Sequence, residues 1–428
     1  MTMLIKNAHV VDPANGVNEV CDIYIEDGLI TAVGDQPSGF YTDSEIDAAG
    51  KYVFPGIVDL CARLREPGQE NKATIHSETR AAASGGITTM VCPPDTFPII
   101  DTPAMAHMIQ NRADESGFAR VRPLGALTLG LKGEQLTDMA MLMDAGCVGV
   151  SNAVEAVRNT LVIRRAMQYA STYDIPVFLM PVDSWLQGNG VVHEGRVSTM
   201  LGLPAIPEAA ETVGVARDLA LIETSGARAH FEMVSCGRSV TMIEEARCRK
   251  LPVTASVSIH HLLFSEDHIG AFNTQFKVMP PFRTGQDKVS LLEGVASGAI
   301  STICSDHQPH GADSKLAPFS EAATGIAGLD TLLSLTWGLV QQNLLELNTA
   351  IAALTFNPAT IINVDAGHLS VGAPADLCIF DPDMSWKLDS ETMQSRGRNS
   401  PLIGEQLDGR VIHTLLGGKT VYSLSPNP

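Results

Sequence analysis

The sequence predicts an α/β protein: a (β/α)8 barrel of the TIM type, joined to a small β domain formed from both termini. Three observations predict it. Short apolar strands alternate with helical stretches through the long middle of the chain. Both ends carry strand and turn patterns instead. The 428 residues, 45% hydrophobic and 18% charged, suffice for one large barrel and an accessory domain.

The two termini show the same pattern of short strands and tight turns. Asp27-Gly28 and Gly417-Gly418 each separate two apolar runs, as hairpin turns do. The predicted strands are Leu4–Val11, Asp22–Glu26, Leu29–Val33, Leu377–Phe380, Val411–Leu416 and Lys419–Tyr422. We therefore predict that residues 1–53 and 366–428 assemble into one composite β domain.

Residues 54–365 are predicted to form the barrel, in roughly eight β/α units. Its candidate strands are apolar runs bounded by turn residues: Ile87–Val91, Val121–Leu127, Cys147–Ser151, Val177–Met180, Arg228–Met233, Pro252–Val257 and Ile300–Ser305. A helix is predicted over Pro207–Glu223, because Pro207 suits a first turn and Gly226 follows the end. In this fold the functional residues lie at the C-terminal ends of the strands.

Charge and cysteine content restrict the class of partner. The formal net charge of −19 argues against nucleic acid or an anionic membrane surface as a partner. No apolar stretch has the length needed to span a bilayer. The eight cysteines are scattered without a Cys-x-x-Cys pair, which is typical of buried thiols in a reducing compartment. We expect a cytoplasmic protein.

The chain resembles the type I dihydroorotases, which are cyclic amidohydrolases, along nearly its whole length. The segment Asp59–Gly68 has the layout of their first strand end, Asp-x-His-x-His-x-Arg-x-Pro-Gly. The other shared segments, in matching order and spacing, are Ala8–Pro13, Thr79–Ala83 with Gly85-Gly86, Pro280–Arg283, Ser305–His310 and Ala373–Leu377. The resemblance implies the barrel fold and a site at the strand ends.

That resemblance also implies which residues should bind metal. In active members two zinc ions, held at strand ends one, four, five, six and eight, activate a water against the cyclic amide. Five of the corresponding positions here do not carry the ligands of the family, namely Cys61, Arg63, Asn152, Met180 and Met233. Asp306, the ligand and general base of strand eight, is retained as a vestige. We therefore expect no metal and no other cofactor.

Arg63 is the most damaging of these changes. A guanidinium roughly 4 Å from a divalent ion would repel it by ~8 kcal/mol at an effective dielectric constant of about 20, and arginine cannot lose its proton. Our hypothesis is that the Arg63 side chain occupies the vacated metal position. It would pair there with Asp306 or Asp59, which would otherwise be uncompensated.

The residues that the resemblance assigns to substrate binding are only partly kept. Arg65, which clamps the substrate carboxylate in the family, and His310 are retained. The family's Met-Pro-Asn-Thr becomes Pro93-Pro94-Asp95-Thr96, so Asp95 places a carboxylate where an anionic substrate needs an amide. The asparagine before Pro-Pro becomes Met279. We expect Arg65, Asp95 and His310 to form a vestigial substrate site.

Several side chains near the strand ends admit two interpretations. Cys61, Met180, Met233 and Met279 either form a soft site of the kind that selects copper(I), or fill the space left by lost ligands. The pair His260-His261 is expected to comprise one buried and one exposed residue rather than two ligands. The loop Gly311–Phe319 is either a simple surface loop or a contact surface.

One subgroup of the family matches this pattern of losses: the non-catalytic dihydroorotase-like chain that accompanies aspartate carbamoyltransferase in some bacteria. The matching segments are Cys92–Thr96, Gly125–Leu136, His307–His310 and Lys315–Phe319. The resemblance implies a hetero-oligomer in which this chain supports assembly of the transcarbamoylase catalytic chain in pyrimidine biosynthesis. Two alternatives stay open. One is an active amidohydrolase that holds zinc through Asp306; the other is a sensor that binds a pyrimidine intermediate through Arg65 and His310.

Overall fold

The computed structural model describes residues 2–424. The strands in that range are β1 (Thr2–Asp12), β2 (Val17–Glu26), β3 (Leu29–Val33), β4 (Ser44–Asp47), β5 (Tyr52–Pro55), β6 (Ile57–Asp59), β7 (Ile87–Cys92), β8 (Arg120–Pro123), β9 (Gly125–Ala126), β10 (Val150–Ser151), β11 (Val177–Leu179), β12 (Val192–His193), β13 (Ala205–Ile206), β14 (Ala229–Phe231), β15 (Val253–Ser258), β16 (Thr302–Cys304), β17 (Leu377–Lys387), β18 (Gln406–Leu416) and β19 (Lys419–Ser423).

The helices in the described range mostly lie between barrel strands. They are α1 (Ile75–Ser84), α2 (Pro103–Ser116), α3 (Met139–Asp144), α4 (Thr160–Thr172), α5 (Ser184–Gln187), α6 (Arg196–Leu201), α7 (Ala209–Ser225), α8 (Gly237–Cys248), α9 (Ile259–Leu263), α10 (Gly285–Ala296), α11 (Leu332–Gln341), α12 (Leu347–Leu354) and α13 (Phe356–Ile361). Short 3-10 helices occur at Leu129–Leu131, Glu266–Ile269, Thr274–Phe276 and Ala312–Lys315. No helix within residues 2–424 is long and apolar enough to cross a membrane.

Both termini contribute to one sheet, as predicted. Its order is β19-β18-β17-β5-β1-β2-β3, and β4 also pairs with β1. The junction between the two ends is the antiparallel pairing of β5 with β17. A separate apolar core lies under this sheet and includes Ile5 and Ile23 from the N-terminal part and Leu377, Ile379 and Leu415 from the C-terminal part. Because both ends contribute to this core, neither would bury its apolar face alone.

Parallel strands form the predicted (β/α)8 barrel. They lie in two hydrogen-bonded runs, β6-β7-β8 and β9-β10-β11-β14-β15-β16. The predicted single strand Val121–Leu127 is divided into β8 and β9, where Pro123 offers no N–H to a ladder. A parallel bridge between Ala62 and His307 brings the end of β6 against the end of β16. The C-terminal ends of the first and eighth strands therefore meet.

Gly56 marks the passage from the terminal sheet into the barrel. It divides the apolar run Tyr52–Val58, so that β5 belongs to the sheet and β6 to the barrel. A Cβ atom at Gly56 would lie 2.1 Å from Thr88 Oγ1, so no larger residue fits there without displacing the neighbouring strand.

The predicted helix Pro207–Glu223 is present as α7, which begins at Ala209 and ends at Ser225. Gly226 caps it in the left-handed conformation at φ 68°, and its N–H donates to the Ile222 carbonyl.

Candidate functional site

Asp59, which is fully buried, joins the ends of the first and eighth barrel strands by hydrogen bonds. Its carboxylate accepts hydrogen bonds from the Ser305 backbone N–H at 3.0 Å and from the Ser305 hydroxyl. Two backbone hydrogen bonds, Arg63 N to His307 O at 2.9 Å and His307 N to Cys61 O at 3.2 Å, continue the contact. Asp59 is therefore committed to the scaffold.

Arg63 points into the barrel mouth and is 7% exposed. Its Nε lies 2.8 Å from Asp95 Oδ2, and its Nη1 lies 3.6 Å from Asp306 Oδ1. Burial by itself would lower the pKa of this guanidinium, but the carboxylates of Asp95 and Asp306 raise the pKa above its ordinary value. The expected contact with Asp306 is present. Of the two partners that the hypothesis allowed, Asp59 is held by Ser305 instead, and Asp95 is a further partner that the hypothesis did not include.

Asp95 acquires a role that the sequence alone did not suggest. It follows β7, and its carboxylate pairs with the guanidinium that follows β6. The sequence led us to expect a negative charge where an anionic substrate needs an amide. The charge of Asp95 is instead neutralised within the protein by Arg63, so the two substitutions compensate each other.

Asp306 is deeply buried beside a neutral thiol. Burial raises the pKa of its carboxyl to about 6, while Arg63 opposes that rise. Gln308 Nε2 donates to Asp306 Oδ1 at 3.0 Å. The Cys61 sulfur lies 3.8 Å from the same oxygen, and burial raises the pKa of the Cys61 thiol well above its ordinary value. The Cys61 side chain is therefore a neutral thiol in this environment.

Asn152, at the end of β10, has its amide fully engaged in local structure. Its Nδ2 donates to the Leu131 carbonyl at 3.1 Å and to the Glu155 carbonyl at 2.7 Å. Its Oδ1 accepts from the Thr128 hydroxyl at 2.6 Å. This side chain therefore stabilises the loop after β10.

The positions at the ends of β11 and β14 are filled by thioethers. Met180 and Met233 pack with Cys61 and Cys304 in one small apolar cluster. The sequence suggested Met279 as the fourth member, but Cys304 takes that place. Met279 lines a small neighbouring space of about 30 Å³ together with Met180 and Met233. Flexible apolar side chains thus fill the volume that ligands would have occupied.

Sequence reasoning missed one carboxylate, that of Glu232. It is 6% exposed, follows β14 and accepts a hydrogen bond from the Ser151 hydroxyl at 3.0 Å. Burial raises its pKa to about 7, although Ser151 and Arg63 oppose the shift. The feature of the sequence that could have revealed Glu232 is its position as the one acidic residue near the end of the predicted strand Arg228–Met233.

The donor set does not fit the zinc pair that the family resemblance implies. Its members are a buried cation, a protonated thiol, an engaged amide and two thioethers, and Asp306 is already paired with the cation. Within residues 2–424 no group of three or more His, Cys, Asp and Glu side chains is arranged to hold a metal ion. Hard divalent ions prefer oxygen ligands, and zinc prefers imidazole or thiolate.

Arg65 and His310, which the resemblance assigns to substrate binding, lie together. Arg65 Nη2 is 3.0 Å from His310 Nε2, and Arg65 Nε donates to the Pro309 carbonyl at 3.2 Å. Burial and the nearby Arg63 lower the Arg65 pKa to about 10. Burial and Arg65 lower the His310 pKa to about 3, so the imidazole is neutral at physiological pH. Among the described residues, Arg65 makes no ion pair with a carboxylate.

An open cleft of about 960 Å³ lies above these residues at the barrel mouth. Arg63, Arg65, Asp95 and His310 are part of its floor. Its walls come from the loops after the strands, with charged residues of both signs: Lys132, Glu134, Glu155 and Arg158. The cleft is accessible to a small molecule, whereas the metal position beneath it is filled.

The remaining strand-end histidines are structural. His307 Nδ1 accepts from the Gly328 N–H at 3.1 Å, so its Nε2 carries the proton and donates to Glu78 at 2.8 Å. His230 is buried against the Thr254 hydroxyl at 2.8 Å. The expectation of one exposed residue in His260-His261 is wrong. Both are buried, because the short helix α9 packs directly against the end of β15.

Comparison with known proteins places this geometry in a family context. Residues 50–239 match the dihydro-orotase-like family model, and residues 292–422 match an amidohydrolase family model. A dihydroorotase-like protein of Pseudomonas aeruginosa is 45% identical over 99% of this chain and 100% of its own length. A protein of Syntrophotalea carbinolica named dihydroorotase is 43% identical over 99% and 100%.

Solved structures show the same fold at lower identity. The L-hydantoinase (dihydropyrimidinase) of Arthrobacter aurescens superposes with a TM-score of 0.87 at 24% identity, covering 98% of this chain and 96% of that one. The D-hydantoinase of a Thermus species gives 0.82 at 22% identity, covering 99% and 97%. At this level of identity the likeness concerns the barrel and its attached sheet, while function depends on the site residues.

Proposed function

This chain belongs to the dihydroorotase-like amidohydrolase family, and from that premise we propose that it is a non-catalytic member of it. Its role is to support assembly of aspartate carbamoyltransferase in pyrimidine biosynthesis, as an equimolar partner of the catalytic chain. The observation that carries the proposal is the Arg63–Asp95 ion pair, with Asp306 beside it, where the family holds metal.

The charge balance of the site supports this role. A metal ion at this position would have to displace a guanidinium that two carboxylates stabilise. Breaking such a buried pair costs about 3–5 kcal/mol, since an uncompensated charge is left behind. Even then, Met180 and Met233 would offer only weak thioether ligands. Activation of water by a metal pair therefore has no support in this donor set.

The test is to purify the chain alone and together with its host's aspartate carbamoyltransferase. Metal content and dihydroorotate turnover are measured on each sample, with added zinc as a control. We expect no stoichiometric metal, no turnover and stable co-purification. Stoichiometric zinc with turnover would favour the opposing candidate, an active cyclic amidohydrolase that has rebuilt its site around Asp306.

A second candidate function is supported by one observation: the partly buried guanidinium of Arg65 has no carboxylate partner within residues 2–424. Such a cation, beside the neutral His310, suits an anionic ligand in the open cleft. The chain would then sense a pyrimidine intermediate without converting it. Calorimetric titration with dihydroorotate tests this, and Arg65→Met should abolish any heat of binding while Lys132→Met, on the cleft wall, should not.

A further inference from the structure

A small lobe lies beside the cleft and is built from three loop segments, residues 191–203, 264–277 and 311–323. Its own apolar core contains Val192, Val197, Ile269 and Phe319. The third segment follows His310, which lies in the cleft floor. The lobe is therefore a compact extension of the barrel rim.

The loop Gly311–Phe319 is held firmly within this lobe. Phe319 is 3% exposed in the lobe core, and Lys315 is 4% exposed. The Lys315 ammonium donates to the Ala323 carbonyl at 2.7 Å and to the Lys277 carbonyl at 3.3 Å. The Ser314 carbonyl accepts from Ala323 N at 3.0 Å and closes the loop. The residues between these anchors have little conformational freedom.

Leu316 lies between those two anchors, yet 84% of it is exposed. Phe272, 48% exposed, lies two residues before Thr274, whose hydroxyl donates to the Lys315 carbonyl, so the two exposed apolar side chains come from segments that contact each other. Met200, 70% exposed, projects from α6, whose Val197 and Leu201 pack in the same lobe core. We call Met200, Phe272 and Leu316 the apolar rim. A rigid loop that presents a large aliphatic side chain loses little entropy when a partner covers it.

The charges around the apolar rim determine what kind of partner fits. Its segments carry four exposed carboxylates, those of Glu194, Asp267, Asp313 and Glu321, and Arg196 is already paired with Asp267. The whole chain has a net charge of −19. Two copies that met through this face would bring like charges together, which is unfavourable. A partner with a basic border is electrostatically complementary.

We propose that the apolar rim is the surface that contacts the aspartate carbamoyltransferase chain. Leu316 enters an apolar recess on that partner chain, and Lys or Arg side chains of the partner border the recess. This inference rests on the proposed function. A central apolar anchor within a charged border has the anatomy of a specific interface.

The experiment measures binding of immobilised aspartate carbamoyltransferase to the full chain and to variants. Leu316→Asp combined with Phe272→Asp is expected to weaken binding by at least about tenfold, as loss of a central anchor does. The matched control is Val371→Asp, because Val371 is 70% exposed but lies in the terminal β domain. Melting curves verify folding, and both substitutions affect exposed side chains.

The outcomes separate this inference from the proposed function. Loss of binding in the rim variant but not in the Val371 variant supports the inference. If the wild type binds and the rim variant binds equally well, the surface is wrong while the assembly role stands. If the wild type does not bind at all, the assembly role itself fails.

Charge reversal by Asp313→Lys with Glu321→Lys should also weaken binding, and unchanged affinity would overturn the basic-border argument. A wild-type dimer that the rim variant disrupts would identify a second copy as the occupant instead.

Discussion

The guanidinium of Arg63 and the carboxylate of Asp95 form an ion pair of 2.8 Å at the mouth of the barrel, and the arginine is almost completely buried. The two residues follow consecutive barrel strands, β6 and β7. Their charges balance each other at the position where the proposed function places a lost metal site, and the first prediction tests this balance.

Arg63→Leu is expected to lower the free energy of unfolding by about 3–5 kcal/mol, because Asp95 and Asp306 lose their cation. Urea titrations at pH 7 measure the loss. The double variant Arg63→Leu with Asp95→Leu should lose clearly less, since the carboxylate that paired most closely is also gone. Asp95→Leu alone completes the cycle, and a double-variant loss equal to the sum of the two single losses would show that the two residues are not coupled.

Histidines at positions 61 and 63 should restore zinc binding but not turnover. Cys61→His with Arg63→His, together with Asp306, supplies three ligands from adjoining strand ends, the number found in catalytic zinc sites. A second ion still lacks ligands, because Met180 and Met233 remain. Elemental analysis after dialysis against zinc gives the readout. The control is Cys61→His alone, which keeps the guanidinium and should stay metal-free; zinc in that control would contradict the repulsion argument.

Stability should fall as pH rises from about 4.5 to about 7 through Glu232, whose folded pKa is raised to about 7 from an ordinary value of 4.5. The folded state then holds a proton that the unfolded state has lost, so ν_U − ν_N is negative in this window and the slope is negative. Asp306, raised to about 6, acts in the same direction. Glu232→Gln keeps an acceptor for Ser151 and should remove the Glu232 part of this slope. Parallel stability–pH curves for wild type and variant would exclude the effect.

Glu78→Ala should destabilise the fold by about 3–5 kcal/mol, since it removes the partner of several buried groups at once. The Glu78 carboxylate accepts from His307 Nε2 at 2.8 Å, from the Ser395 hydroxyl at 2.6 Å and from Arg396 N at 3.1 Å. It thereby joins helix α1, the eighth strand end and the C-terminal segment. Thermal melting measures the loss. Glu78→Gln, which retains one carbonyl acceptor, is the control and should cost less.

The strand pattern at both termini and the β/α alternation were readable from the sequence, because the periodicities of strands and helices are local properties. Strand bounds were less well predicted. The predicted strand Cys147–Ser151, for example, is ordered as a strand only over Val150–Ser151. Short parallel strands end where their neighbours end, and the neighbours are supplied by distant parts of the chain.

The sequence by itself determined the barrel with its composite β domain. It also showed that five strand-end positions do not carry the metal ligands of the family that the chain resembles. Only the tertiary structure decided what those residues contact: Asp95 rather than Asp59 pairs with Arg63, Cys304 joins the methionine cluster, and Glu232 lies buried against Ser151. The physical reason is barrel closure. The ends of parallel strands, separated by 30 to more than 200 residues in the chain, become neighbours only when the sheet closes on itself, and burial then selects which charges must pair.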